Sequence, residues 1–186
     1  RKKTVRASRV ILAIPFSTLR QIDVRPGFSS EKTKAIAELP YFPATRLLLQ
    51  CRSNFWQAMG LSGTARGDQP AEMWDCSYDV DATRGILGAT VGGELGQTFS
   101  GMPRARAMRF APELVARTFP KVSGQFERGA VYRWALDGWA RGAFAVFHPC
   151  QRLAILPDIA RSLDVSVAVA GQIGRASCRE RVYSGV

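Results

Sequence analysis

The chain has 186 residues, 46% of them hydrophobic, enough for a substantial buried core, and no apolar run approaches the length that spans a bilayer. Its net charge of +11 is inflated at the ends: Arg1, Lys2, Lys3, Arg6 and Arg9 come first without an anion, and Arg175, Arg179 and Arg181 stand near the end against Glu180. The middle is therefore only mildly basic and lacks the aromatic-interleaved cationic patch of a nucleic-acid binder, while one histidine (His148) and cysteines at 51, 76, 150 and 178 without metal-ligand spacing argue against a zinc site.

The basic start leads into Val10–Ile14, too short an apolar run for a signal peptide or an anchor. That run is β-rich and apolar on both faces, the pattern of a strand in a covered sheet. Pro15 ends it, since proline cannot donate to a ladder. Ser17 or Thr18 is expected to cap a short turn toward Ile22. Ser29-Ser30-Glu31 reads as a helix start, with a hydroxyl cap, an early acid and then Ala35, Ile36 and Leu39 on one stripe. Pro40 closes this helix at Leu39-Pro40-Tyr41. Thr45–Cys51 is the second strand, running toward Phe55-Trp56. Gly60, Gly63 and Gly67-Asp68-Gln69-Pro70 punctuate a loop or hairpin.

Glu72–Ser77 and Gly85–Val91 read as strands, the latter closed by Gly92-Gly93. The segment Gly92-Gly93-Glu94-Leu95-Gly96 lacks the Lys-Ser/Thr of a phosphate loop and is expected to be a turn. Met102–Thr118 has Ala105, Met108, Leu114 and Val115 at helical intervals, with Pro112 expected to kink or split it and Phe119-Pro120 to stop it. Ala130–Trp134 is expected to be a strand, followed across an Asp137-Gly138 turn by another at Ala143–Phe147. Pro157–Ala160 suggests one helical turn, and Val165–Ala170 a last strand before Gly171. Strands mixed with two substantial helices point to an α+β fold, a mixed β-sheet with helices on one side.

Four blocks, in this order, resemble the flavin-containing amine oxidase superfamily of monoamine and L-amino-acid oxidases. They are Arg9–Pro15; Leu39-Pro40-Tyr41 through Thr45–Gln50 to Phe55-Trp56; Trp134-Ala135-Leu136-Asp137-Gly138-Trp139-Ala140-Arg141-Gly142-Ala143-Phe144; and Val167–Gly171. The last is similar to the strand that precedes the family's Gly-Glu-His-Thr flavin contact. The resemblance implies the C-terminal part of a flavoenzyme whose main FAD loop lies elsewhere. Residues 1–22 would end a Rossmann-like FAD-binding domain, 23–150 would form the substrate-binding domain, and 151–171 would return to the FAD domain as a second edge piece.

The implied chemistry is hydride transfer from a neutral amine to FAD, hydrolysis of the imine, and reoxidation by dioxygen with release of hydrogen peroxide. The protein would mainly position the C–H bond and exclude water. In the resemblance, Arg46 is the candidate catalytic residue, standing where relatives place a lysine that holds a water beside the flavin. Arginine keeps its charge and cannot act as a base, so it would position water or pair with a carboxylate; a cation snorkelling from a strand is the plain structural account. Ala13, Pro15, Trp134, Trp139, Gly142 and Gly171 are the implied cofactor contacts, and Phe144 and Cys76 the implied substrate contacts. Ala143 falls where monoamine oxidases carry the cysteine bonded to flavin, which implies noncovalent FAD. Cys76 lies near the position of a carboxylate-binding tyrosine in amino-acid oxidases; the absence of that tyrosine weakens an L-amino-acid assignment and leaves simple amines or polyamines open.

The expected partners are a small amine and dioxygen, with a homodimer left open and neither nucleic acid nor membrane. Free thiols suggest a reducing, cytoplasmic setting. By itself the chain is expected to bind FAD poorly and not turn over. The alternative is a noncatalytic binding module on the same scaffold. A Ser–His–Asp site would have to use His148, and no nucleophile elbow precedes it. Ile173–Val182 reads as the in-frame translation of a sequencing adapter, so residues 172–186 are expected to be a non-native tail.

Overall fold

Burial alternates strictly along Thr45–Cys51, as in a strand with two different faces. In the computed structural model, which describes residues 3–77, 83–160 and 167–169, this strand is the axis of the larger of two compact units. That unit is continuous, Phe42–Asp137; the other joins the chain up to Tyr41 with the chain from Gly138 onward.

In the continuous unit, β3 (Thr45–Cys51), β4 (Ala65–Arg66), β5 (Glu72–Asp75), β6 (Gly85–Val91) and β7 (Phe126–Arg133) form one sheet in the order β4-β5-β6-β3-β7. Every pairing is antiparallel, with Leu47 opposite both Ala89 and Val131. Leu47, Leu49 and Cys51 of β3 share one face with Met73, Leu87, Ala89 and Val91. Helices α3 (Gly93–Gly101), α4 (Arg104–Ala116) and α5 (Val122–Gln125) contribute Phe99, Ala107, Ala111, Leu114, Val115 and Val122 to the same core. The α+β expectation with helices on one side of the sheet matches this unit, although no parallel pairing enters its sheet.

Three local expectations change here. Gly92-Gly93 does not close a turn; it opens α3. Gly96 explains why: a Cβ there would lie 2.7 Å from the Val91 carbonyl and 2.9 Å from that of Pro43, so the glycine lets the helix press on the strand ends. Pro112 is buried inside α4 without splitting it. The helix also turns Ala107 and Ala111 inward, while Ala105 is exposed. Strand β7 starts earlier than expected and passes Trp134 to a 3-10 turn, Trp134–Leu136.

The second unit builds its core from helices. Here β1 (Val10–Leu12) leads through Pro15 into α1 (Phe16–Leu19), and α2 (Ser30–Glu38) packs against α6 (Gln151–Ala160). Phe16, Leu19, Ala35, Ile36, Leu39, Ile155 and Ile159 form the buried cluster. Ser29 caps α2 as expected, accepting from the Lys32 N–H at 3.2 Å. At the other end, Arg20 donates to the carbonyls of Ile36 (2.6 Å) and Leu39 (2.5 Å), a cation on a helix C-terminus. Ser17 and Thr18 do not cap α1: Ser17 Oγ donates to the Ala140 carbonyl at 2.5 Å and Thr18 Oγ1 to that of Pro15 at 2.8 Å.

Strand β1 pairs in parallel with β9 (Val167–Val169), Ile11 opposite Ala168. Among the described residues nothing provides the expected covering of β1: Ile11 is 70% exposed and Val10 45%. The expected hairpin partner of Ala130–Trp134 is a two-residue strand instead, β8 (Phe144–Ala145), which pairs with β2 (Tyr41–Phe42). Pro157 sits inside a ten-residue α6 rather than starting a single turn. The unit boundaries at 41/42 and 137/138 differ from the expected domain boundaries at 22/23 and 150/151, because α2 buries its apolar stripe against Ile155 and Ile159.

Candidate active site

Period-two alternation sends Arg46, Leu48 and Gln50 to the face of β3 opposite the core, where all three are half-buried. Register places Thr90 and Tyr132 beside Arg46, and Gly88 and Ala130 beside Leu48. Trp74 of β5 lies opposite Gly88. This helix-free face is where the sequence-derived candidates of the continuous unit meet.

The Arg46 guanidinium lies over the Trp74 ring, 4.8 Å from its centroid, a cation–π contact. The Trp74 ring reaches over Gly88, where an added Cβ would sit 2.6 Å from the ring and 2.7 Å from Cys76 Sγ. Only glycine leaves room for that layering. Arg46 Nε is buried and has no hydrogen-bond partner, a costly condition for a donor on a charged group. Burial pushes the Cys76 thiol pKa up, while contacts with Trp74 and the nearby Arg46 pull the other way. Cys76 is therefore a neutral neighbour. Tyr132 and Trp134 form an edge-to-face pair, with ring centroids 4.6 Å apart. The Tyr132 hydroxyl donates to Asp137 Oδ2, and that bond raises the tyrosine's pKa. A shallow depression of about 320 Å³ at this end is lined by Arg104, Tyr132, Arg133 and Asp137, among others.

Behind Cys76, on the core side, a polar network holds the strand. Asp75 accepts from Trp56 Nε1 at 2.8 Å, from the Ser77 N–H at 2.7 Å and from Ser77 Oγ at 2.5 Å. Burial alone would raise the Asp75 pKa; the donors from Ser77, Trp56 and Gln57 together outweigh it and hold the carboxyl below its ordinary range.

The remaining candidates belong to the other unit. Pro15 precedes Phe16, whose N–H donates to the Tyr41 hydroxyl at 2.8 Å. Gly142 is buried against Tyr41 at φ +141°, and a Cβ would lie 2.5 Å from Tyr41 Cβ, so the close approach requires glycine. Tyr41 thus joins the turn after β1 to the Gly138–Phe144 loop. Ala13 and Phe144 are exposed, and Trp139 is 89% exposed. Gly171 lies outside the described residues.

The sequence reading missed Trp74 and the Trp56–Asp75 pair. Trp74 stands two residues before Cys76, hence on the same strand face, and a glycine mid-strand at Gly88 signals close approach. Trp56 and Asp75 carried no comparable local signal. Among the described residues no cluster of His, Cys, Asp and Glu could hold a metal ion.

The model of a family described as flavin containing amine oxidoreductase matches residues 1–173. The flavin-dependent L-tryptophan oxidase of Lentzea aerocolonigenes is 30% identical over 146 residues, covering 75% of this chain and 31% of that protein. An L-amino-acid oxidase of Siganus canaliculatus is 25% identical over 162 residues, 84% of this chain and 31% of its own length. Among solved structures, cyclohexylamine oxidase from Brevibacterium oxydans IH-35A shares the fold at a TM-score of 0.79 and 18% identity, over 92% of this chain and 38% of that one. The chain spans about a third of the length of these relatives.

Proposed function

The chain belongs to the flavin containing amine oxidoreductase family, and on that premise we propose that it supplies the substrate wall of a flavin-dependent oxidase that converts an amine to an imine. The observation that carries this reading is the open sheet face, where a half-buried cation with an unused Nε donor stands in an aromatic setting. A flat heteroaromatic ring with acceptor edges fits such a face. When bound, FAD supplies the acceptor for a hydride from the substrate's α-carbon, and dioxygen takes the electrons away as hydrogen peroxide.

This chain's own residues hold and shield. In this reading Tyr132 and Trp134 wall the flavin side of the continuous unit. Arg46 fixes a water or an anionic group; its constant charge excludes a role as base. Leu48, Trp74 and Ile86 keep bulk water off the reacting carbon. In the other unit, Pro15 and Gly142, tied through Tyr41, form a tight backbone corner for the cofactor, with Ala13, Trp139 and Gly171 as further contacts and Phe144 toward the amine. Ala143 offers no thiol, so the flavin is held noncovalently. Dioxygen as acceptor and a cytoplasmic setting complete the proposal. Residues 172–186 are proposed to be a non-native tail; in support, the family match ends at residue 173.

The test is made on the full-length protein. Purified protein should be yellow, acid precipitation should release the flavin, and anaerobic amine should bleach the visible band, with peroxide formed on admitting air. A colourless protein that no amine bleaches after FAD is added would leave the noncatalytic scaffold instead. Sequencing the locus with long reads tests the tail: a genuine continuation through Ile173–Val182 defeats that part.

A further inference from the structure

Arg46 carries the sheet face's unmet demand. Its Nε is buried without an acceptor. Among the described residues it has no ion-pair partner: Glu72, across Thr90 in the register, pairs instead with Arg66 at 3.4 Å. Its immediate setting is Trp74 beneath, Cys76 nearby, and Thr90 and Tyr132 across the strands. None of these is an anion. The guanidinium held over the indole is planar, and its edge offers parallel N–H donors that match a carboxylate. Leu48, next to Arg46 on this face, is apolar and half-buried, as is Ile86 further along beside Gln50.

We propose that Arg46 is the specificity-determining residue that anchors a carboxylate on the substrate, so that the site takes α-amino acids in preference to simple amines or polyamines. The inference rests on the flavin-oxidase reading above and deepens it. A polyamine brings extra positive charge toward an arginine that cannot discharge itself. An amino acid brings a planar anion that satisfies Nε and neutralises the cation at once. Trp74 acts through Arg46 as a positioning residue, and Gly88 permits its placement.

The experiment compares phenylalanine with phenethylamine, which differ by the carboxylate alone, in the flavin-loaded full-length protein and in its Arg46→Lys and Arg46→Met variants. Wild-type protein should favour phenylalanine. The preference, as a ratio of kcat/KM values, should fall about 10- to 100-fold in Arg46→Met, through KM more than kcat, and less in Arg46→Lys, which keeps charge but loses the fork. Benzoate should perturb the flavin spectrum of wild type and lose that effect in Arg46→Met. Equal losses for both substrates, or a wild-type preference for the amine, would overturn the assignment. If neither substrate reduces the flavin, the oxidase reading fails by itself. The Arg46 Nε–H resonance during benzoate titration then decides: movement keeps the carboxylate anchor, and none ends it.

Discussion

The two units meet the same requirement, burying enough apolar surface, by opposite routes. The continuous unit buries one face of a five-stranded antiparallel sheet under three helices, with Trp56, Leu47, Leu49 and Leu87 fully enclosed. The discontinuous unit has a smaller cluster from α1, α2 and α6, and its parallel pair β1–β9 leaves Ile11 in solvent. The difference teaches that the first unit is locally self-sufficient in sequence, whereas the second depends on segments more than a hundred residues apart. Its Lys32–Ile159 bond, for example, spans 127 positions.

The comparison is broken most forcefully at Trp56. This indole is fully buried, meets Phe55 edge-to-face at 5.1 Å and donates to Asp75. Trp56→Ala should cost about 3–5 kcal/mol, since it leaves a large cavity and removes a donor from a buried carboxylate. Urea unfolding followed on methyl resonances should show Leu47 and Leu87 melting early while Ile36 and Ile155 keep their midpoint. A loss shared equally by both groups of probes would show that the units unfold as one.

Asp75→Asn should be milder, about 2 kcal/mol at neutral pH, because an amide sets N–H against N–H. Its pH dependence carries more information. The folded-state pKa of Asp75 lies below the ordinary value. Its stabilisation is therefore fully present above the unfolded pKa of about 3.9 and is lost as pH falls through the folded value. The gap between wild type and Asp75→Asn should narrow in acid, below about pH 4. A gap that stays constant from neutrality down would remove the carboxylate from the account.

Lys32 sharpens the other side. It is buried, donates to the Ile159 carbonyl at 2.5 Å and lies 5.5 Å from the Phe16 ring centroid. Burial lowers its pKa below the ordinary 10.5, and Asp158 offsets part of that. A lowered lysine pKa means that the unfolded chain holds more protons between the folded value and 10.5, so stability rises with pH across that window. Methyl probes at Ile36 and Ile155 should show this rise, and Lys32→Met should flatten it while costing about 1 kcal/mol for the lost bond to α6.

What the sequence disclosed follows the same division. Strands β3 and β6 were legible residue for residue, because short apolar runs, and for β6 the bounding glycines, act locally. The start of α2 was legible through Ser29 and Glu31. Helix α3 was hidden by its glycines, and the purpose of one of them, Gly96, a close approach to Val91 and Pro43, exists only in three dimensions. Helix α6 was hidden by Pro157, and the partner of β8 by a pairing back to β2, far earlier in the chain. At the candidate site, family-like blocks pointed to Arg46 and Trp134. The stacking partner Trp74 had to await the register that sets it against Gly88.

The smallest expected effect separates the chain from the longer protein to which its family membership points. Ile11→Lys replaces a side chain that is already mostly in water, so the 186-residue chain should keep its stability to within about 0.5 kcal/mol. It should also become more soluble, since a charge on an exposed edge strand discourages pairing with another copy. In the full-length flavoprotein the same lysine should be costly, because in the proposed reading β1 there joins a covered nucleotide-binding sheet, and a buried unpaired ammonium is strongly destabilising. The readout is flavin retained through gel filtration. Equal tolerance in both settings would mean that the apolar pattern of β1 serves no covered sheet, and the assignment of Ala13 and Pro15 to the cofactor would fall with it.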